Sequence, residues 1–497
     1  MNSKNISSRV TSFICDEWTA ADNTADLIPV IDPASEKQVS SLYAASEAEV
    51  DAAVSAARES FERGAWSTAS VEYRKAVLLR IRDLIQKNAA ELARLEVIDT
   101  GVPFKQALER HVPRAVLNFD FFANYICIAG SEAFDQNSDY HTYVRREPAG
   151  VAGLIAPWNA PLALATMKLA GALAFGNSCV LKPSELTPLA FVRLMEILKE
   201  AGVPPGVVNM VNGHGADCGA VLVAHPGVDV IAFTGGTETG RKIGASAGGG
   251  LKKVVTELGG KSANIVFGDA DFERALDAAL IGIFSNNGQQ CLAGSRILVE
   301  QSIADKFRDA FLARTAKLRV GEPLNEKTEI GPLISEEQLK RVESFAEQVV
   351  ESDGLELLTG GCRSGRFETG YYFEPTVITA DNNHYPVCQE EVFGPFATIM
   401  TFDGLDEAMA IANDSSFGLV AYVWSQDINK VMAATQELRT GVVWVNTPLT
   451  RELRAPFGGF KHSGVGRVGG EWSRALFTEE KSVTIATRSV PLPKLGS

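Results

Sequence analysis

The sequence predicts an α/β protein built on two doubly wound parallel sheets, and three observations carry this. Between residues 151 and 257, short apolar runs at 151–156, 179–182, 207–211, 230–233 and 253–257 alternate with helical patterns at 161–174, 188–201, 216–224 and from 238 onward. Apolar strands separated by helices form parallel sheets covered on both faces. After Gly259-Gly260 the alternation restarts, with strands at 263–267 and 296–300 and helices at 271–287 and 303–318, which predicts a second unit of similar size. At 497 residues, 45% of them hydrophobic, the chain can bury more than one core.

The elements before residue 151 differ in kind. Residues 1–40 are turn-rich, and 23–33 are expected to hold short strands. Ser46, followed by Glu47 and Glu49 and then spaced apolar residues, marks a helix start. A serine hydroxyl accepts from the first free N–H groups, and early carboxylates suit the positive helix end. Helices are expected at 71–86 and 88–100, stopped by Gly101 and Pro103. A further helix over 113–125 puts Arg114, Asn118, Phe121 and Tyr125 on one face. That face reads either as a functional stripe or as an amphipathic surface whose arginine snorkels.

Residues 141–147 read as an isolated strand before Pro148, and the tail at 481–488 as another. The two could pair with each other or with another subunit. Helices at 336–352 and 405–413 and strands at 398–402, 421–424 and 441–446 complete the second unit, while Gly244 to Gly250 reads as a helix-to-strand connection.

Composition narrows the partners. A net charge of −14 argues against nucleic acid or an anionic membrane. There is no apolar leader and no run of ~18 apolar residues, so a cytoplasmic protein is expected. The seven cysteines are scattered and odd in number, which favours a reducing compartment over a disulfide framework. Neither they nor the six histidines have metal-ligand spacing, and no metal is expected. Cys127, Cys179 and Cys388 sit in apolar surroundings and are expected to be structural.

Three polar groups stand at telling places. Cys291 follows Asn286-Asn287-Gly288-Gln289-Gln290, where a helix gives way to a loop that would expose a thiol. Once deprotonated, a thiol is a strong nucleophile; the alternative is a buried structural cysteine. Asn159 and Glu257 each end an apolar strand, the edge at which α/β sheets place ligands. The Asn159 amide could donate to an oxyanion or cap the helix that starts at Pro161. The Glu257 carboxylate could act as a general base or be an exposed strand-end acid. Lys182-Pro183-Ser184-Glu185 also follows a strand, and a lysine and glutamate three residues apart suit a ribose diol, unless they form a solvated salt bridge. A carboxylate there would repel a 2′-phosphate, which favours NAD over NADP. Phe233-Thr234-Gly235-Gly236 turns into a helix whose backbone N–H groups could meet a pyrophosphate.

Together these segments resemble the aldehyde dehydrogenase superfamily over nearly the whole chain. The resemblance lies in Pro157-Trp158-Asn159, Lys182 to Glu185, Phe233 to Gly235, Glu257 to Lys261, Gly288 to Cys291, Glu391-Val392-Phe393-Gly394-Pro395 and Pro456 to Gly459, in that order. It implies oxidation of a small aldehyde to an acid through a cysteine thioester, with Cys291 as nucleophile, Asn159 as oxyanion donor, Glu257 as base, and Lys182 as a further catalytic residue. It implies NAD bound by Ile155, Pro157, Trp158, Lys182, Ser184, Glu185, Phe233, Gly235, Gly236, Leu258, Glu391 and Phe393. A Rossmann-like cofactor domain (1–125 and 149–259), a catalytic domain (260–459) and a small bridging β element (126–148 and 475–497) are implied, as is a homodimer or homotetramer.

For the substrate, 446–457 and 113–119 resemble the branch acting on 2-hydroxymuconic and 5-carboxymethyl-2-hydroxymuconic semialdehydes. That implies contacts from Arg114, Asn118, Phe121, Trp158, Gln290, Arg451 and Phe457, with the two arginines gripping a carboxylate. The alternative is a salt bridge such as Arg451–Glu452. Val468, where the branch usually carries glutamate, and the common Gln289-Gln290 pair leave an aromatic or aliphatic aldehyde open. A non-catalytic relative and a CoA-acylating enzyme are the rivals, and Glu257 speaks against both.

Overall fold

The computed structural model describes residues 7–21 and 27–496. Its first sheet has five central strands, all parallel, in the spatial order Lys253–Glu257, Val230–Thr234, Val151–Ile155, Ser178–Lys182 and Val208–Met210. All but the start of Lys253–Glu257 are buried end to end, as a sheet covered by helices on both faces requires. The chain begins at Val151–Ile155, builds outward to one side, then returns to build on the other. The switch point, where such sheets open to ligands, therefore lies between Val151–Ile155 and Val230–Thr234.

The edges correct the all-parallel expectation. Gly464–Val465 pairs antiparallel with Lys253–Glu257, and Phe13–Ile14 pairs antiparallel with Val208–Met210. Both come from distant parts of the chain and need no crossover helix, so either direction is open to them.

The second sheet runs Leu355–Thr359, Thr376–Ala380, Phe396–Phe402, Arg296–Glu300, Ala263–Val266, Val420–Trp424 and Val442–Val445, parallel except for the first. Leu355–Thr359, Thr376–Ala380 and the helices Ile428–Glu437 and Gly470–Phe477 are additions to the sequence reading. One core lies on each face of this sheet, whereas the largest core joins the first sheet to the helices Val71–Lys87, Val112–Tyr125 and Pro161–Ala174.

Other expectations resolve in detail. Residues 23–26 lie outside the described residues, and Leu27–Asp32 is a strand. Ser46 caps its helix in a full capping box with Glu49. The tail strand Thr478–Ala486 pairs antiparallel with Tyr140–Pro148 of the same chain. Residues 244–250 are not a connection, because the helix Thr237–Gly249 runs almost to their end. Each interior glycine costs a helix about 1 kcal/mol, offset here by burial of Ile243 and Ala247 on the core face. Cys179 and Cys388 are buried as expected, but Cys127 is exposed at the turn after Val112–Tyr125.

Candidate active site

A cleft of about 580 Å³ opens at the carboxyl ends of the first sheet's strands, facing the second sheet. Pro157, Trp158, Asn159, Gly235, Gly236, Glu257, Leu258, Cys291, Glu391 and Phe393 all line it. Segments separated by more than two hundred residues thus meet because both sheets present strand ends to one crevice.

Cys291 owes its place to a break in a helix. Phe272–Phe284, expected to run to residue 287, stops short, and Asn286 and Asn287 adopt left-handed backbone with φ of 56° and 55°. Asparagine tolerates that region better than other side chains. The turn is then bolted down: Asn287 Nδ2 donates to the carbonyls of Gly101 (3.1 Å) and Pro332 (2.8 Å), while its Oδ1 accepts from Gly331 N–H at 2.7 Å. Asn286 Nδ2 donates to the carbonyls of Asn159 and Gln289, each at 2.8 Å. Gly288, with φ +71°, has no room for a side chain, since a Cβ would stand 2.1 Å from the Gly394 carbonyl carbon.

Asn159 does not cap the following helix, whose N-cap is Ala160 with no side-chain bond. Instead its Nδ2 donates to Gln289 O at 3.0 Å, on the chain leading into Cys291. Glu257 is not exposed: it is buried, and Oε2 accepts from Thr234 Oγ1 at 2.9 Å. Lys168 Nζ donates to that same hydroxyl at 2.6 Å and lies 3.8 Å from Glu257 Oε2. Lys168 and Thr234 are site residues that the sequence reading misses. A signal exists for the lysine, since it is the lone charge in the otherwise apolar helix 161–174.

Burial sets the resting protonation. It pushes the Cys291 thiol up to about 12, reinforced by the carboxylates of Glu391 and Glu257. It also raises Glu391 to about 7, against opposing pulls from the Gly260 N–H, Lys261 and Arg341. Lys168 is lowered by burial, with Glu257 opposing.

The cleft suits a dinucleotide. The helix Thr237–Gly249 has no side-chain cap at Gly236, and a Cβ there would meet nothing within 4 Å. Free N–H groups at a positive helix end facing an open cleft favour a phosphate. Gly235 sits directly on the Phe233 ring, 2.5 Å from its would-be Cβ, so Phe233 supports the turn from below. Glu391 Oε1 accepts from Gly260 N–H at 3.0 Å, and Phe393 meets Trp158 edge-on with ring centroids 5.1 Å apart. Lys182 and Glu185 form a 3.5 Å ion pair at the end of Ser178–Lys182. They, Ser184, Ile155 and Phe233 do not line the cleft itself.

The expected substrate residues divide. Arg114 and Arg451 are partly buried, and among the described residues neither guanidinium has a hydrogen bond or a salt bridge. Burial lowers Arg451 to about 10, with Glu257 opposing and Arg114 adding to the shift. The arginines and the Glu257 carboxylate therefore share one electrostatic neighbourhood. Arg451 stacks over Phe457, 4.0 Å from ring centroid to guanidinium carbon. The Arg451–Glu452 alternative fails, because Glu452 pairs with Arg454 at 2.9 Å. Phe121 stacks on Tyr125 with centroids 5.5 Å apart.

Two of these expected substrate residues are corrected. Asn118 is fully buried and donates to Ala163 O and Thr166 Oγ1, each at 3.0 Å, tying two helices together inside the core. Gln290 directs its amide to Gly282 O at 3.0 Å, closing off the preceding helix.

Comparison with known proteins bears directly on this site. The Aldehyde dehydrogenase family profile matches residues 18–483. The 5-carboxymethyl-2-hydroxymuconate semialdehyde dehydrogenase of Escherichia coli is 41% identical over 463 residues, 92% of this chain and 97% of that one. The crystal structure of HpcC from Thermus thermophilus superposes with a TM-score of 0.96 at 42% identity, covering 100% of this chain and 96% of that one. A betaine aldehyde dehydrogenase from Staphylococcus aureus, solved in complex with NAD+, does so with a TM-score of 0.95 at 37% identity, covering 99% and 98%. With a cysteine, an amide and a buried carboxylate around one cleft and a family match over almost its full length, the chain belongs to the aldehyde dehydrogenase family.

Proposed function

We propose that the protein oxidises a carboxylate-bearing semialdehyde of the muconic type to the corresponding acid, with NAD as oxidant. The reading rests on one observation above the others: Arg114 and Arg451 are partly buried cations that make no hydrogen bond or salt bridge among the described residues, and Arg451 shares an electrostatic neighbourhood with the Glu257 carboxylate of the cleft. A desolvated, unpaired guanidinium is costly unless an anion completes it, and a carboxylate fits its fork. The relative from Escherichia coli is named for such a substrate.

The residues then have roles. Cys291 Sγ, once deprotonated, bonds to the aldehyde carbon, and charge passes to the carbonyl oxygen. Asn159 Nδ2 and the Cys291 backbone N–H are the donors for that oxyanion; losing one such donor costs about 3–4 kcal/mol. NAD, held by Glu391 and the Gly235-Gly236 turn and bordered by Lys182 and Glu185, supplies the hydride acceptor when bound. Cys291 is left carrying the acyl group as a thioester. Glu257 takes a proton from water, whose oxygen attacks that carbon. The C–S bond breaks and the acid leaves. Thr234, donating to Glu257 and held in turn by Lys168, fixes the orientation of the carboxylate.

The division into a cofactor unit (1–125 and 149–259), a catalytic unit (260–459) and a bridging element (126–148 and 475–497) belongs to the same reading. It is supported by cores that segregate largely along those boundaries. A homodimer or homotetramer is supported by the tail strand Thr478–Ala486, an exposed sheet edge of nine residues that a second subunit would cover. The seven free thiols support a cytoplasmic setting. Among the described residues, no helix is long and apolar enough to cross a membrane.

The test is steady-state kinetics of Arg451→Ala on a carboxylated semialdehyde and on a neutral aldehyde of equal length. Loss of a charged hydrogen bond, about 1.5–3 kcal/mol, should lower kcat/KM roughly ten- to a hundredfold on the former and little on the latter. Equal losses on both would refute the assignment.

A further inference from the structure

We propose that Gln106, through paired hydrogen bonds to Asn286, is a positioning residue that holds the loop carrying Cys291 in its reactive geometry. The inference rests on the reading of Cys291 as nucleophile given above.

Gln106 meets Asn286 twice. Its Oε1 accepts from the Asn286 backbone N–H at 2.9 Å, and its Nε2 donates to Asn286 Oδ1 at 3.3 Å. The second bond matters because it fixes which way the Asn286 amide faces. With Oδ1 turned to Gln106, Nδ2 is left to donate to Asn159 O and Gln289 O. Those carbonyls belong to the proposed oxyanion residue and to the residue two before the nucleophile. Asn159 Nδ2 returns to the same Gln289 carbonyl, at 3.0 Å. A closed circuit therefore runs from Gln106 through Asn286 to both arms of the site. Gln106 itself does not line the cleft and touches none of the reacting groups.

The neighbouring contacts show that this is a bracket. Ser285, Asn286 and Asn287 are consecutive, and each is bonded to the segment 101–110: Ser285 Oγ accepts from Arg110 Nη1 at 3.4 Å, and Asn287 Nδ2 donates to Gly101 O at 3.1 Å. The segment is irregular where it does this. Gln106 ends a short helical turn and is followed by the π-helix Ala107–His111, a departure that recurs at functional sites. Asn286 sits in left-handed backbone, a conformation that persists only where its surroundings over-determine it. Gln106 supplies part of that constraint from outside the loop.

The experiment compares Gln106→Leu, Gln106→Glu and Asn286→Gly with the wild type. It measures kcat, KM for aldehyde, the dissociation constant for NAD by fluorescence titration, the alkylation rate of Cys291 by iodoacetamide, and the thermal midpoint. Gln106→Leu should lower kcat about ten- to a hundredfold, as a misplaced reacting group does, and change the alkylation rate severalfold. NAD binding should hold, and the thermal midpoint should fall by no more than a few degrees. Gln106→Glu keeps the acceptor for the Asn286 N–H but sets a carboxylate oxygen against Asn286 Oδ1, and should stay impaired in kcat as Gln106→Leu is. Asn286→Gly accepts the left-handed backbone without strain but lacks the amide, and should reproduce the Gln106→Leu loss. Wild-type kcat in Gln106→Leu or in Asn286→Gly would overturn the proposal. So would wild-type kcat in Gln106→Glu, or a loss that merely follows the thermal midpoint. Cys291→Ser separates the two readings: full activity there defeats the nucleophile assignment, whereas an inactive Cys291→Ser beside an unimpaired Gln106→Leu defeats only the positioning role.

Discussion

Thr234 Oγ1 donates to Glu257 Oε2 at 2.9 Å while accepting from Lys168 Nζ at 2.6 Å. The carboxylate is thus held by a hydroxyl, and the hydroxyl by a buried ammonium. Thr234 ends the strand next to the one that ends at Glu257, and the two are directly paired in register. Lys168 reaches them from the helix Pro161–Ala174 above the sheet. Glu257 is therefore held by a chain of buried polar groups.

Glu257→Gln should keep the first turnover and slow the second. If the carboxylate serves thioester hydrolysis, a pre-steady-state burst of NADH equal to the enzyme concentration should survive, while the steady-state rate falls about a hundredfold or more. Stopped-flow absorbance reads both. A variant without a burst would place the carboxylate earlier in the reaction.

Glu391, if it holds the ribose as proposed, should make NAD binding depend on pH. Burial raises its carboxyl from the ordinary 4.5 to about 7. The folded protein therefore holds that proton to higher pH than the unfolded chain does. The resulting stabilisation is complete below about 4.5 and lost as pH rises through about 7. Only the ionised form accepts two ribose hydroxyl protons, so the dissociation constant for NAD should rise as pH falls below 7. Glu391→Gln should bind weakly with that dependence flattened; an unchanged pH profile in the variant would contradict the role.

The same carboxylate bears on Cys291. After burial, Glu391 is the largest influence holding the Cys291 thiol up near 12. Replacing that negative charge with an amide lowers the thiol pKa and increases the thiolate fraction. At pH 9 in the absence of NAD, Glu391→Gln should be alkylated by iodoacetamide severalfold faster than the wild type. Equal or slower alkylation would break the link.

Asn287→Ala removes three buried bonds that tie the nucleophile turn to Gly101, Gly331 and Pro332. Each is worth about 1 kcal/mol, and partners left unsatisfied cost more, so a loss of about 2–4 kcal/mol is expected. The thermal midpoint should drop by several degrees, and a high glycerol concentration should restore activity in part. An unchanged midpoint would show that the turn is held by its neighbours alone.

Much of this is readable from the sequence because it is local. Alternating apolar strands and helices are written as periodicity, and Asn159 and Glu257 stand out as polar residues closing apolar strands. Cys291 is legible from the amides and glycine that break its helix. Cys127 misleads, because an apolar run does not say which side of a helix end faces water. Asn118 misleads for a related reason. Sharing a helix face with Arg114 and Phe121 does not reveal that the helix Pro161–Ala174 covers that part of the face and takes up the amide.

The order of residues along the chain decided the class of fold, the strand ends at which chemistry would gather, and the residue types gathered there, since each follows from short-range spacing and side-chain character. Only folding in three dimensions decided partnership: that Lys168 meets Thr234, that Glu452 turns to Arg454 while Arg451 stacks on Phe457 without a salt bridge, and that Gln106 closes on Asn286. Those pairings depend on how helices and loops far apart in sequence settle against one another, and packing of that kind is a property of the whole core that no window of residues contains.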